Sequence, residues 1–360
     1  MIMKTKLWML GAAVAALTSC TQSEVVEIPE SRVIGFDSFV GKNSRAAYLI
    51  QQKGPETDAK DNLYQFWVYG YEAGTDIFGG TNVYWDATNS GFTYDNHKIW
   101  NLGQSYNFAA YSDGNNSLPA TTGTINTSAS VAYSKITNGS QLVFTNYTAG
   151  ENDLLAAIVS PITINSDGSN IESVPLIFEH MLSCVKISLR NSSQSLYLHF
   201  DNITFNGVIA DNCTYKIENA AKSCIWANTT STTSTAAEGT YTLTTPTGYL
   251  APGGTLNLFC FVIPQNNDIS FSIKATTYEK DTNSDVYSST NITTYNTSLK
   301  ITDTDNAAPN HATWQPGYLY NYSADIAAQV HYIHFDVHVE DWTSHNSTLP
   351  GTTTSTTTEP

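Results

Sequence analysis

Residues 183–190 read SCVKISLR. Val185, Ile187 and Leu189 fall on one side of an extended chain, and Lys186 and Ser188 on the other. A period of two marks a strand with one dry face and one wet face. Working outward, residues 174–182 (VPLIFEHML) lead into this segment and read as a strand end or a helical turn. Downstream, 196–200 (LYLHF), 203–209 (ITFNGVI), 254–264 (GTLNLFCFVIP) and 269–278 (ISFSIKATTY) read as further strands. Residues 317–322 (GYLYNY) and 329–340 (QVHYIHFDVHVE) read as closing strands. Upstream, 33–40 (VIGFDSFV) is a first strand and 63–71 (LYQFWVYGY) a strongly aromatic one. Residues 82–86, 91–94, 97–100, 106–111, 140–144 and 154–159 extend the series. No apolar stripe of helical period is sustained anywhere. Short strands between turn signals predict an all-β sandwich architecture.

The composition agrees. Tyr alone counts 21, the hydrophobic fraction is 41% and the charged fraction only 13%, so a packed core is expected rather than an acidic disordered chain. Sixteen Lys+Arg against 32 Asp+Glu, with no basic run, exclude a nucleic-acid partner. A chain of 360 residues is expected to split into two cores. The polar stretch at 160–172 (SPITINSDGSNIE) gives the boundary: an N-terminal β-sandwich over 32–165 and a C-terminal one over 166–342. Residues 112–130, 229–239 and 281–310, rich in Asn, Ser, Thr and Gly, read as loops. The Thr-rich residues 343–360 lack alternating apolar side chains and read as a flexible tail.

Few residues suggest chemistry. His334, Asp336, His338 and Glu340 share one face of the last strand, the spacing from which side chains converge on a metal. The same pattern decorates any wet strand face, and that reading is preferred. Tyr64, Phe66, Trp67, Tyr69 and Tyr71 put rings on both faces of one strand, for core and domain packing or for a sugar platform. Phe259, Phe261, Trp314, Tyr318 and Tyr320 read mostly as core. His180, in FEHML, reads as a satisfied, partly buried imidazole. There is no G-x-S-x-G, P-loop or H-E-x-x-H motif, so neither an enzyme activity nor a cofactor is expected.

The first residues read as a targeting segment. Lys4 and Lys6 precede a short apolar run, Leu7 to Leu17, too short to span a bilayer. Leu17, Thr18, Ser19 and Cys20 resemble the lipobox of bacterial lipoproteins, which implies cleavage before Cys20 and its acylation. An ordinary signal peptide is the other reading. Residues 1–19 would then be the signal peptide and 20–31 a polar tether. Export permits disulfides. Cys213 and Cys224 could close a short loop, or all of Cys184, Cys213, Cys224 and Cys260 could be buried thiols.

Four stretches together resemble the fimbrillin family of Bacteroidales. They are the lipobox, VIGFDSFVGKNSRAAYL at 33–49, PLIFEHMLSCVKISL at 175–189, and WQPGYLYNYSADI at 314–326 followed by IHFDVHVEDW at 333–342. The resemblance implies a fimbrial subunit lipoprotein built of two transthyretin-like antiparallel β-sandwich domains in tandem. It implies proteolysis after an arginine near the first strand. Arg45 matches that loop position, whereas a cut at Arg32 would remove only the tether. It implies donor-strand insertion between subunits, and residence at the outer membrane through lipid or in a surface fimbria. A host or bacterial surface ligand is a further expected partner. A tethered glycan-binding protein is the alternative function. Residues after Trp342 offer Leu349 as their one large apolar side chain, a poor donor strand, which points to a tip, anchor or minor subunit rather than a stalk.

Overall fold

A computed structural model describes residues 32–40, 63, 65–86, 88, 91–112, 130–150, 153–229, 236–265, 269–299, 314–326 and 336–341, with backbone alone at 38–40, 296–299 and 336–341. No α-helix occurs among them. The first half contributes β1 (Phe36–Val40), β2 (Gln65–Glu72), β3 (Thr75–Asp86), β4 (Gly91–Thr93), β5 (Ser105–Ser112), β6 (Ser130–Ile136), β7 (Gly139–Thr148), β8 (Leu155–Ile158) and β9 (Ile162–Thr163). The second half contributes β10 (Val174–His180), β11 (Ser183–Asn191), β12 (Tyr197–Glu218), β13 (Ala221–Trp226), β14 (Ala237–Leu243) and β15 (Thr255–Val262). It ends with β16 (Ile269–Lys280), β17 (Tyr287–Leu299), β18 (Tyr318–Ile326) and β19 (Asp336–Asp341).

The strands form three sheets. An eight-stranded sheet runs β1-β10-β8-β5-β2-β3-β4, with β9 on β5. A four-stranded sheet runs β15-β11-β18-β19. A seven-stranded sheet runs β17-β16-β12-β7-β6, with β13 and β14 also on β12. Pairing is antiparallel except for β1 with β10 and β11 with β18. The eight-stranded sheet curls until its two ends meet: Val33 bridges Ile99, and Ile34 N–H donates to Lys98 C=O at 2.8 Å. The all-β expectation holds, with one sheet nearly closed into a barrel.

Three cores follow from the curl. Phe66, Val68, Phe108, Ala110, Leu155 and Ala157 face the inside of the near-barrel. The alternate residues of the same strands, Trp67, Ala109, Tyr111 and Ala156, face outward against Tyr133, Leu142, Phe144 and Tyr215 of the seven-stranded sheet. The third core lies between the four-stranded sheet (Val185, Ile187, Leu189, Tyr320, Tyr322) and the other end of the seven-stranded one (Phe200, Phe205, Ile273, Tyr295). Strand pairing crosses residues 165/166 in both directions, since β10 joins the first sheet and β6–β7 join β12.

Three local expectations need correction. Residues 196–200 and 203–209 are not two strands but parts of β12, which runs 22 residues with three register shifts. Bulges turn a strand without ending it, so the polar interruption at Asp201–Asn202 does not act as a loop. The span 281–310 is not all loop: it holds β17, where Thr, Ile and Tyr favour extended backbone and Thr293 and Tyr295 turn inward. The 229–239 loop ends early, because β14 begins at Ala237. The open choice at 174–182 resolves to a strand, with Val174, Leu176 and Phe178 buried and Pro175 and Ile177 exposed.

The β6–β7 hairpin shows how sequence sets the sheet that joins the halves. Asn138 takes φ 63° in the turn, a conformation Asn tolerates well. A Cβ on Gly139 would lie 1.8 Å from the Ile217 carbonyl oxygen of β12, so only glycine lets the strands approach. Gly139→Ala is expected to push β7 from β12 and cost about 1–3 kcal/mol, read as a lowered thermal midpoint with unchanged far-ultraviolet circular dichroism.

Candidate functional site: the seam that closes the first sheet

The chain from Arg32 to Val40 stitches the near-barrel shut. Its second part, β1, pairs in parallel with β10, Phe36 opposite Val174 through Val40 opposite Phe178. Its first part crosses to the other end of the sheet. There Trp100 N–H donates to Arg32 C=O at 2.9 Å, and the Arg32 guanidinium donates through Nη2 to Trp100 C=O at 2.7 Å. The Tyr94 hydroxyl donates to Ile34 C=O at 2.8 Å and accepts from Lys98 N–H at 3.1 Å. Burial raises the Tyr94 phenol above its ordinary range, so it stays protonated as the donor.

Alternation supplies the anchor. Ile34 and Phe36 are 0% and 3% exposed, while Asp37 faces solvent. The Phe36 ring sits edge-on to Phe78, Tyr94 and Phe108 at 5.4, 5.7 and 5.8 Å between centroids. Edge-to-face geometry sets positive ring edges on negative ring faces. Phe78 and Tyr94 also line an open recess of about 430 Å³. Lifting residues 32–40 away would bare the β10 backbone, the Lys98 carbonyl, the Trp100 amide and this ring cage together.

Of the residues singled out from sequence, Arg32 lies in the seam itself, half-buried, with its carbonyl engaged. Cys20, Arg45 and His334 lie outside the described residues, as do the tether and tail. Asp336, His338 and Glu340 lie on β19, opposite Ser323, Asn321 and Leu319 of β18. Among the described residues no three His, Cys, Asp or Glu side chains are placed to hold a metal. Cys213 and Cys224 sit on the neighbouring strands β12 and β13 as free thiols, their sulfurs 3.6 Å apart. The aromatic strand is β2, and both its faces are covered. Phe66 lies inside the near-barrel, while Trp67 stacks on Tyr111 at 5.4 Å and the Tyr71 hydroxyl donates to Tyr133 C=O at 3.0 Å. Phe261, Trp314 and Tyr320 are buried, as read, and Phe259 and Tyr318 are half-buried.

His180 is buried beside Asp153, with Nδ1 hydrogen-bonded to Oδ2. Burial raises the Asp153 carboxyl above its usual range, and the imidazole opposes that rise. The pair fixes the end of β10, the strand that carries β1. Sequence gave His180 its expected place but no hint of Asp153, which lies 27 residues away. A group of tyrosines on the C-terminal half, exposed Tyr249 with half-buried Tyr197, Tyr278 and Tyr287, was also missed; no periodic pattern links them.

A near-barrel held shut by the 32–40 segment and backed by two further sheets defines an all-β protein of stacked sheets. The Fimbrillin-like family model matches residues 51–342, and the chain belongs to that family. A fimbrial protein from Bacteroides vulgatus is similar in structure, with TM-score 0.50, 15% identity, and coverage of 86% of this chain and 99% of that one. A putative cell adhesion protein from Bacteroides uniformis gives TM-score 0.44 and 15% identity, over 86% of this chain and 99% of that one. The fimbrial anchor protein Mfa2 from Porphyromonas gingivalis gives TM-score 0.35 and 10% identity, over 86% and 98%. No protein with a curated description matches the chain in sequence.

Phe36→Ala is expected to cost about 3–5 kcal/mol, as for other buried Phe truncations. Hydrogen exchange should quicken at residues 32–40 and 94–100 before it does in β11 or β12. Equal quickening in all four segments would mean that the seam is not a separable element.

Proposed function

We propose that the protein is a structural or adhesive subunit of a cell-surface fimbria, and that its seam strand is the element exchanged between subunits. The observation that carries this reading is the position of the 32–40 segment: β1 is the edge of its sheet with one parallel partner, and the segment is anchored by Ile34, Phe36 and the bonds of residues 32–34 to 98–100. An edge strand leaves without breaking a sheet in two. The opened edge presents unpaired backbone and an apolar cage, both costly in water, and an inserted strand satisfies both. Head-to-tail insertion is open-ended and yields a filament.

In this reading Cys20 carries the lipid that holds the protein at the outer membrane, and a cut after Arg45 releases the seam strand. A cut at Arg32 would leave β1 in place. The poor donor character of the segment after Trp342 favours a tip, anchor or minor subunit. The two-domain reading, transthyretin-like sandwiches divided near 165/166, rests on the separate core between the four- and seven-stranded sheets, although β10 and β6–β7 pair across that division. The alternative of a tethered glycan-binding protein is supported by exposed Tyr249 and the rings behind it, taken up below.

The test is limited digestion of the purified full chain with an arginine-specific protease. We expect one early cut at Arg45, loss of residues up to 45, and uptake of a fluorescent peptide of sequence VIGFDSFV (33–40) by the cut form alone. A Phe36→Ala version of the peptide should bind at least about tenfold more weakly, the loss of one buried ring. Retention of the cut segment, or equal peptide uptake before and after cutting, would rule out exchange at this strand. Intact mass of the cell-envelope form, taken without reductant, is expected to show acyl chains on Cys20. The same measurement reads whether a disulfide has formed, for which Cys213 and Cys224 are the neighbouring pair.

A further inference from the structure

One surface of the C-terminal half gathers rings that no core uses. Tyr197 of β12 lies directly opposite Tyr278 of β16, and Tyr287 of β17 lies opposite Lys280. Tyr249 reaches them from a loop pinned by two backbone hydrogen bonds between Leu198 and Leu250, of 3.0 and 2.7 Å. Its ring stacks on Tyr287 at 4.0 Å with planes 12° apart, and meets Tyr278 at 4.8 Å and 69°. Tyr287 also meets Tyr197 at 5.3 Å. Stacking holds these rings in place, yet Tyr249 remains 41% exposed. A rigid, water-facing ring can receive an apolar ligand face at little entropic cost.

A polar arm stands beside the rings. Asp201 is the extra residue of a bulge, since Phe200 pairs with Ala275 and Asn202 with Lys274. Bulges re-aim side chains, and this carboxylate accepts from Thr276 Oγ1 through Oδ2 at 2.7 Å. Its Oδ1 lies 4.0 Å from His199 Nε2. His199 Nδ1 is 3.2 Å from the Gly248 carbonyl, which can only accept, so Nδ1 carries the proton. In the neutral imidazole Nε2 is then an acceptor. Two acceptors 4.0 Å apart, both partly exposed, call for two O–H donors on adjacent ligand atoms. The His199 ring is also 5.8 Å from Tyr249, so arm and rings serve one ligand.

We propose that Tyr249, backed by Tyr278 and Tyr287, and the His199–Asp201 pair form a binding site for a neutral saccharide with a vicinal diol. The C–H face of the sugar ring rests on Tyr249, and its two hydroxyls donate to Nε2 and Oδ1. Charge selects against anionic sugars: Asp201 is negative, Lys280 is already paired with Asp285 at 2.8 Å, and the chain carries −16 overall. One exposed ring suits a small ligand better than a protein surface, which would bury about 800 Å² per partner. The site gives the adhesive part of the proposed function a ligand class and rests on that part, but not on strand exchange.

The test uses the intact, uncut full chain, so its result is independent of assembly. Maltohexaose, a β-1,4-linked N-acetylglucosamine oligomer and a mannan oligomer are titrated by saturation-transfer NMR and tyrosine fluorescence. At least one should bind saturably, and its analogue with the diol methylated should not. Tyr249→Ala and Asp201→Asn should each weaken binding by about tenfold, the worth of one ring contact or one charged hydrogen bond. Unchanged thermal midpoints would show that both variants are folded. Absence of saturable binding by all three sugars, or binding that both variants leave intact, overturns the proposal. Self-association lost in Tyr249→Ala, without sugar binding, would reassign the patch to a protein contact.

Discussion

A curled sheet must still satisfy its two edges, and here one short segment serves both. Residues 36–40 pair with β10 at one end, and residues 32–34 bond to 98–100 at the other. The inside of the near-barrel is lined by large rings, including Phe66, Phe78, Tyr94, Trp100 and Phe108. Without the seam, water reaches those rings and the backbone of β10 loses its partner. Closure therefore rests on Ile34 and Phe36 entering the core and on a handful of backbone bonds.

The rest of the molecule is built so that this closure can be local. β12 runs through the seven-stranded sheet and serves two cores. Its first part, with Leu198, Phe200, Ile203 and Phe205, packs on the four-stranded sheet; its later part, with Cys213, Tyr215 and Ile217, packs on the outside of the near-barrel. Neither set touches the seam core. The eight-stranded sheet buries a second face against β6, β7 and β12. The Asp153–His180 pair ties the end of β10, the strand on which β1 pairs, to the segment before β8.

Much of this was legible in particular residues. Val185, Ile187 and Leu189 announce their strand because a sheet packed on a core by one face has one dry side, and alternation points to it. VIGFDSFV reads as a strand for the same reason, and its first half delivers Ile34 and Phe36 to the core. β17 was not legible, because an edge strand of Thr, Ser and Asn has the composition of a loop and gains its structure from β16. The break at Asp201 looked like a turn, because a bulge and a turn share their polar residues.

Sequence by itself determined the β character, the absence of catalytic motifs, the apolar first strand and the family resemblance, because these are written in local alternation and short contiguous motifs. Tertiary structure alone decided that the first sheet bends until its ends meet. It alone placed Asp153 on His180, and Tyr249 beside residues 197, 278 and 287. Those outcomes depend on twist, register and bulges summed over many strands. A one-residue change in any of these redirects a side chain while leaving the local pattern as it was.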